Sequence, residues 1–128
     1  MKKEERLQTQ IATYLKLQYP DVIFTSESSG LRVGIGLAMQ MKRQRSKHKL
    51  PDLLILHPNK KYKGLFLELK KDLSEAYLKN GQLREKKHIQ EQNKTLQKLN
   101  KLGYYACFSC GFSETKNIID KYFSNKIL

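Results

Sequence analysis

Cysteine is scarce in this chain: Cys107 and Cys110 are the only two among 128 residues. That number excludes a disulfide framework. A lone Cys-x-x-Cys also lacks the four ligands of a structural zinc site, because His48, His57 and His88 stand at no recognised spacing from it. A redox pair needs the motif at a helix N-terminus, which Gly111-Phe112-Ser113 permits; core packing of Cys107 is the simpler expectation. Long hydrophobic runs are missing as well. Behind Met1-Lys2-Lys3-Glu4-Glu5-Arg6 comes an amphipathic pattern instead of an apolar block, so neither a signal peptide nor a membrane span is expected, and the reduced chain belongs in the cytoplasm. Internal repeats and low-complexity segments are absent. The length suits one compact domain over residues 1–128, large enough for a sheet with helices packed on it.

Acidic residues are few beside basic ones, 12 Asp and Glu against 25 Lys and Arg, for a formal charge of +13 and a pI near 9.8. Solubility alone needs a net charge of only roughly 2 to 8 in a small domain. The excess points to a polyanionic partner, with nucleic acid first, since neutralised phosphates release counterions whatever the base sequence.

The apolar residues fall into periodic segments. Leu7, Ile11, Tyr14 and Leu15 recur at three and four, which predicts a helix over residues 4–18 ended by Pro20 and Asp21. Residues 22–25 read as a strand running into a polar loop, and residues 37–47 as a short helix with a dense basic face. The nearly continuous apolar runs at 50–56 and 65–70 read as central strands joined by the turn-rich 57–64 segment, most simply as a hairpin. Asn80-Gly81 predicts a small added β-ribbon near 77–84. From Lys87, the spacing of Ile89, Leu96, Leu99 and Leu102 restores a helix, with Gly103 as its cap; a buried strand at 104–109 and a helix at 113–123 follow. Helices alternating with buried strands predict a mixed α/β layer fold.

Three charges interrupt the apolar strands. Asp52 lies where one run begins, and Glu68 and Lys70 lie two apart near the end of the next, so the latter pair shares one face about 7 Å apart. In a hairpin, the start of the first strand meets the end of the second, which brings Asp52 to Glu68 and Lys70. Burying two carboxylates beside a lysine costs several kcal/mol in lost hydration, and a bound cation would explain the expense. Mg²⁺ (or Mn²⁺) takes carboxylate oxygens and keeps several waters, so Asp52, Glu68 and the main-chain carbonyl of Leu69 suffice as protein ligands. Such an ion activates water and offsets charge on a phosphate, with Lys70 orienting the water or holding the phosphate. The plainer alternative is a surface Glu68–Lys70 pair on an edge strand.

Pro51-Asp52 and Glu68-Leu69-Lys70 resemble the split signature of the PD-(D/E)xK nuclease superfamily. Glu4 and Gln8 on the first helix, Ser29-Gly30, Pro51-Asp52, Phe66-Leu67-Glu68-Leu69-Lys70, Gln92 and Leu102-Gly103 together resemble the VRR-NUC (virus-type replication-repair nuclease) family, particularly its minimal phage and bacterial members, over nearly the whole chain. The resemblance implies a restriction-endonuclease-like core with a central mixed sheet flanked by helices, and a divalent metal. In stand-alone members it also implies a homodimer that cleaves branched DNA such as Holliday junctions in recombination, replication or repair. Two features depart from the family: Ser29-Gly30 replaces the usual Asn-Gly, and the stretch from Lys70 to Gln92 is longer than in compact members.

Further candidates fill out the site. Glu4 matches the family's first acidic residue, on one helical line with Gln8, Ile11 and Leu15, with Glu5 as the alternative. Gln92 breaks the apolar line of Ile89, Leu96 and Leu99 with a polar group that needs a partner, such as a water or phosphate near the metal. Lys42, Arg43, Arg45, Lys47 and Lys49 are candidates for gripping the DNA backbone, as are Lys60, Lys61 and Lys63 in the turn. The expected function is a metal-dependent endonuclease on branched DNA. The alternatives are a non-catalytic nucleic-acid-binding module on the same fold, or a nuclease for flap, nicked or duplex DNA.

Overall fold

The computed structural model describes residues 3–27 and 34–127, the side chains of Lys3 and Glu4 excepted. Its elements are α1 (Lys3–Gln18), β1 (Phe24–Ser26), α2 (Ile35–Arg43), β2 (Leu53–Ile55), β3 (Leu65–Lys70), α3 (Lys87–Lys101), β4 (Tyr105–Cys110) and α4 (Gly111–Phe123), with a 3₁₀ turn at Leu73–Glu75. The strands form one sheet in the order β1-β2-β3-β4. β1, β2 and β3 pair antiparallel, whereas β3 and β4 pair parallel. The parallel pair is joined by a crossover through α3, because parallel neighbours cannot be linked by a tight turn.

Helices cover both faces of this mixed sheet, as expected. Leu7, Ile11 and Leu15 of α1 and Ile119 and Tyr122 of α4 pack on Leu53, Ile55, Leu65, Leu67 and Leu69. On that side the Tyr14 and Tyr19 hydroxyls and the Lys116 ammonium all donate to the Asp120 carboxylate, at 2.5, 2.7 and 3.0 Å, which ties α1 to α4. On the other face Ile89 and Leu96 of α3 cover Phe66, Ala106 and Phe108. Every residue of β3 is buried, so its alternation sends Leu65, Leu67 and Leu69 to the α1/α4 side, and Phe66, Glu68 and Lys70 to the α3 side. The four apolar side chains, each worth roughly 1.5–3 kcal/mol on burial, offset the cost of carrying two charges into the core with them.

Several expected boundaries move. β2 is confined to Leu53–Ile55 instead of 50–56, because Pro51 has no N–H for the ladder and Leu56 is exposed. The basic helix runs over Ile35–Arg43 instead of 37–47, so Arg45, Lys47 and Lys49 lie on the segment beyond it. The ribbon near 77–84 shrinks to one antiparallel bridge, Tyr77 to Leu83. Its loop has three residues, Lys79-Asn80-Gly81, closed by Leu78 N–H to Gln82 O (2.8 Å) and Gly81 N–H to Leu78 O (2.9 Å). Only Gly81 takes positive φ there, at 87°, whereas a two-residue Asn-Gly turn would need positive φ at Asn80 too. Gly103, with φ at 104°, ends α3 as expected.

Candidate active site

The β2–β3 register pairs Leu53 with Leu67, which sets Asp52 opposite Glu68. The Asp52 N–H donates to Glu68 Oε2 at 3.0 Å, and the Leu69 N–H donates to Asp52 Oδ2 at 2.9 Å. Pro51 is buried and holds the residue before it extended, while the Asp52 carbonyl accepts the Glu27 N–H at 2.7 Å. Backbone contacts on both sides therefore aim the Asp52 side chain at β3.

Glu68 is 5% exposed and Lys70 7%. Burial, and then the neighbouring Asp52 carboxylate, push the Glu68 carboxyl up to about 8, with Lys70 pulling the other way. The Lys70 ammonium lies 5.9 Å from the centroid of the Phe108 ring. From α3, Gln92, Thr95 and Leu96 close over Glu68, and with Lys49 and Pro51 they line a narrow cleft. Gln92 Oε1 is buried there without a hydrogen-bond partner, a costly state for an amide oxygen that a ligand or water would relieve.

The donor set fits a hard divalent cation. Two adjacent carboxylates that disfavour joint ionisation, with an amide oxygen in want of a partner beside them, are oxygen donors of the kind Mg²⁺ or Mn²⁺ takes while keeping several waters. Leu69, whose carbonyl is the expected third ligand, lies between Glu68 and Lys70 with its side chain in the α1/α4 core. Among the described residues no group of three or more His, Cys, Asp and Glu is arranged around a metal position.

The remaining candidates divide. Glu4 belongs to α1 by its backbone, and its side chain lies outside the described residues, as does Ser29-Gly30; Glu5 is exposed on α1. Lys42 and Arg43 occupy the last turn of α2. The Arg45 guanidinium meets Glu27 at 3.0 Å. Lys47 is exposed beside them, and Lys49 is the one cation of this group that reaches the Glu68 cleft. Lys60, Lys61 and Lys63 precede β3 and so stand at the end of that strand away from Lys70, about 17 Å distant along five residues. Cys107 packs on the α1/α4 side, its thiol pushed up to about 12 by burial. Cys110 falls on the opposite face, paired in register with Lys70.

Two residues of the site were not anticipated. Thr95 is buried beside Gln92, and its i, i+3 spacing on a helix was the available signal. Phe108 stands opposite Glu68 only through the parallel β3–β4 register, which leaves no local mark in the sequence.

A mixed four-stranded sheet with helices on both faces and acids converging at one end of β2 and β3 is a restriction-endonuclease-like α/β fold. A solved structure described as a "VRR_NUC domain protein" has this fold: it superposes with a TM-score of 0.69 at 23% sequence identity, over 97% of this chain and 90% of that one. No family model matches the sequence, and no curated protein matches it.

Proposed function

We propose that the chain is a metal-dependent deoxyribonuclease of the VRR-NUC type, with Asp52, Glu68 and Lys70 as its catalytic core. The observation that carries this reading is the reciprocal contact of Asp52 and Glu68 on the strand pair that also carries Lys70, with an unpartnered Gln92 oxygen in the cleft over Glu68. The likeness in fold to a VRR_NUC domain protein supports the nuclease class, and the charge of +13 supports a nucleic-acid substrate.

In this reading Asp52, Glu68 and the Leu69 carbonyl would hold Mg²⁺ or Mn²⁺. When bound, the cation polarises the scissile phosphate and lowers the pKa of a water. Lys70, whose ammonium stands 5.9 Å from the centroid of the Phe108 ring, would donate to that water or to a non-bridging phosphate oxygen. Gln92 would offer its unpartnered Oε1 as an acceptor to a water there and so help to orient it. Pro51, Leu96 and Thr95 narrow the cleft and limit bulk water around the reacting atoms.

Branched DNA, such as a Holliday junction in phage or bacterial recombination, replication or repair, is the proposed substrate. A homodimer is the proposed acting form, because a junction has two strands to cut symmetrically. No helix among the described residues is long and apolar enough to cross a membrane, and a cytoplasmic location is part of the proposal. The test is incubation of labelled four-way junction, flap, nicked and duplex DNA with and without Mg²⁺ or Mn²⁺, beside Asp52→Asn and Lys70→Ala. Equal cleavage by the variants sinks the site; salt-sensitive binding without any metal-dependent product leaves a non-catalytic binding module.

A further inference from the structure

Beside the Asp52–Glu68 cleft lies an open cavity of about 850 Å³ between α2 and the segment that leads to Pro51. That size falls in the range of roughly 300–1,000 Å³ typical of small-molecule sites. Ala38, Met41 and Leu50 provide apolar walls, and Gln44 and Ser46 provide an amide and a hydroxyl. Lys42, Lys47 and Lys49 stand around it with exposed side chains. Lys49 lines both this cavity and the cleft over Glu68, so the two are neighbours. None of the α2 side chains is buried, and Met41 is the one that is partly covered.

Resting on the nuclease reading above, we propose that this cavity receives one unpaired nucleotide of the DNA strand, adjacent to the phosphate held at Asp52 and Glu68. Glu27, ion-paired to Arg45, and His48 also line the cavity; the chemistry of the other walls matches parts of that ligand. Apolar side chains accept the faces of an unstacked base, a neutral amide and hydroxyl meet its donor and acceptor edge, and lysines take the flanking phosphates. A paired base cannot enter, because its faces and edge are already occupied in the stack. A second copy of the chain is a poorer occupant, since it would bring its own positive charge against Lys42, Lys47 and Lys49. The cavity therefore selects DNA that is unpaired next to the cut, which is what a flap, or a branch point whose crossover pairs have opened, provides and a continuous duplex does not.

Binding tests this without cleavage. The full chain is titrated in EDTA against a DNA duplex that carries one 2-aminopurine, either extrahelical or paired with thymine. The unpaired probe is expected to bind about tenfold tighter, with a change in its fluorescence, and both Met41→Glu and Ala38→Glu should bring the two probes to within about twofold of each other. Ala38 is exposed, so its variant reports on the cavity wall with no packing to disturb. Equal affinity of the parent protein for the two probes, or a preference that survives both variants, overturns the proposal. A protein that prefers the unpaired probe but cuts nothing with Mg²⁺ keeps the cavity and sinks the nuclease reading; an active nuclease without the preference does the reverse.

Discussion

Asp52 and Glu68 hold each other's strands: the Glu68 carboxylate accepts the Asp52 N–H at 3.0 Å, and the Asp52 carboxylate accepts the N–H of Leu69, next to Glu68, at 2.9 Å. Each acid spends one oxygen on the partner strand's backbone, so both are oriented before any ligand arrives. Burial, and after it the like charge of Asp52 at close range, pushes the Glu68 carboxyl up from 4.5 to about 8.

A raised carboxyl means that the folded state binds its proton more tightly than the unfolded state does. Its contribution to the stability of the metal-free protein is therefore fully present below about pH 4.5 and is lost as pH rises toward about 8. In EDTA, Glu68→Gln should melt progressively higher than the parent across that window, because glutamine has no proton to lose. Added Mg²⁺ should raise the melting temperature of the parent and leave Glu68→Gln nearly unmoved. Parallel melting curves for the two proteins in EDTA from pH 5 to 8 would contradict the assignment.

Lys70→Met keeps an unbranched side chain at a buried position and removes its charge. Melting temperature in EDTA should fall, because the cation that offsets Asp52 and Glu68 is gone. Metal-dependent cleavage, read well below melting, should fall by at least about 10²-fold, the scale of losing one electrostatic group in a reaction site. Single-turnover cleavage of a labelled junction measures this. An active Lys70→Met enzyme would remove Lys70 from the mechanism.

Gln92→Leu replaces a buried oxygen without a partner by a hydrocarbon of similar volume. Relief of that group should stabilise the metal-free protein by about 1–3 kcal/mol in urea unfolding, with slower cleavage in the same variant. Loss of stability would mean that the amide is satisfied in solution and serves the fold.

Lys47→Ala should weaken DNA binding about equally for all sequences and lower the slope of log affinity against log salt by about one. Arg45→Ala should lose less, since its guanidinium already meets Glu27. Lys61→Ala, at the end of β3 away from Lys70 with its ammonium over the Tyr62 ring, should change neither quantity. Fluorescence anisotropy at several salt concentrations separates the three.

Much of the fold was legible because periodicity is local. Leu7, Ile11 and Leu15 mark the buried stripe of α1 at spacings of four, and the Leu65–Lys70 run marks a strand covered on both faces. Asp52, Glu68 and Lys70 were legible for a related reason: charges stand out where everything around them must be apolar, and a hairpin dictates which ends meet. Boundaries were harder to read. Pro51 shortens β2 from within an apolar run, and α2, which buries nothing, stops at Arg43 in the middle of a basic stretch that carries no stop signal.

The sequence alone determined most of the element types, the meeting of Asp52 and Glu68 and the strongly basic charge, since these depend on residue type and spacing along the chain. Only the tertiary structure decided that Glu68 and Lys70 face α3, that Phe108 and Cys110 stand beside them, and that Thr95 and Lys49 line the same cleft as Gln92. Those relationships come from the parallel β3–β4 register and from the crossover that lays α3 over it. Pairing between strands 40 residues apart, Leu65 with Tyr105, leaves no trace in local composition. The reciprocal hold of Asp52 and Glu68 belongs to both: residue type and hairpin order put them together, and the backbone of each strand decided which oxygen of each acid was left for a ligand.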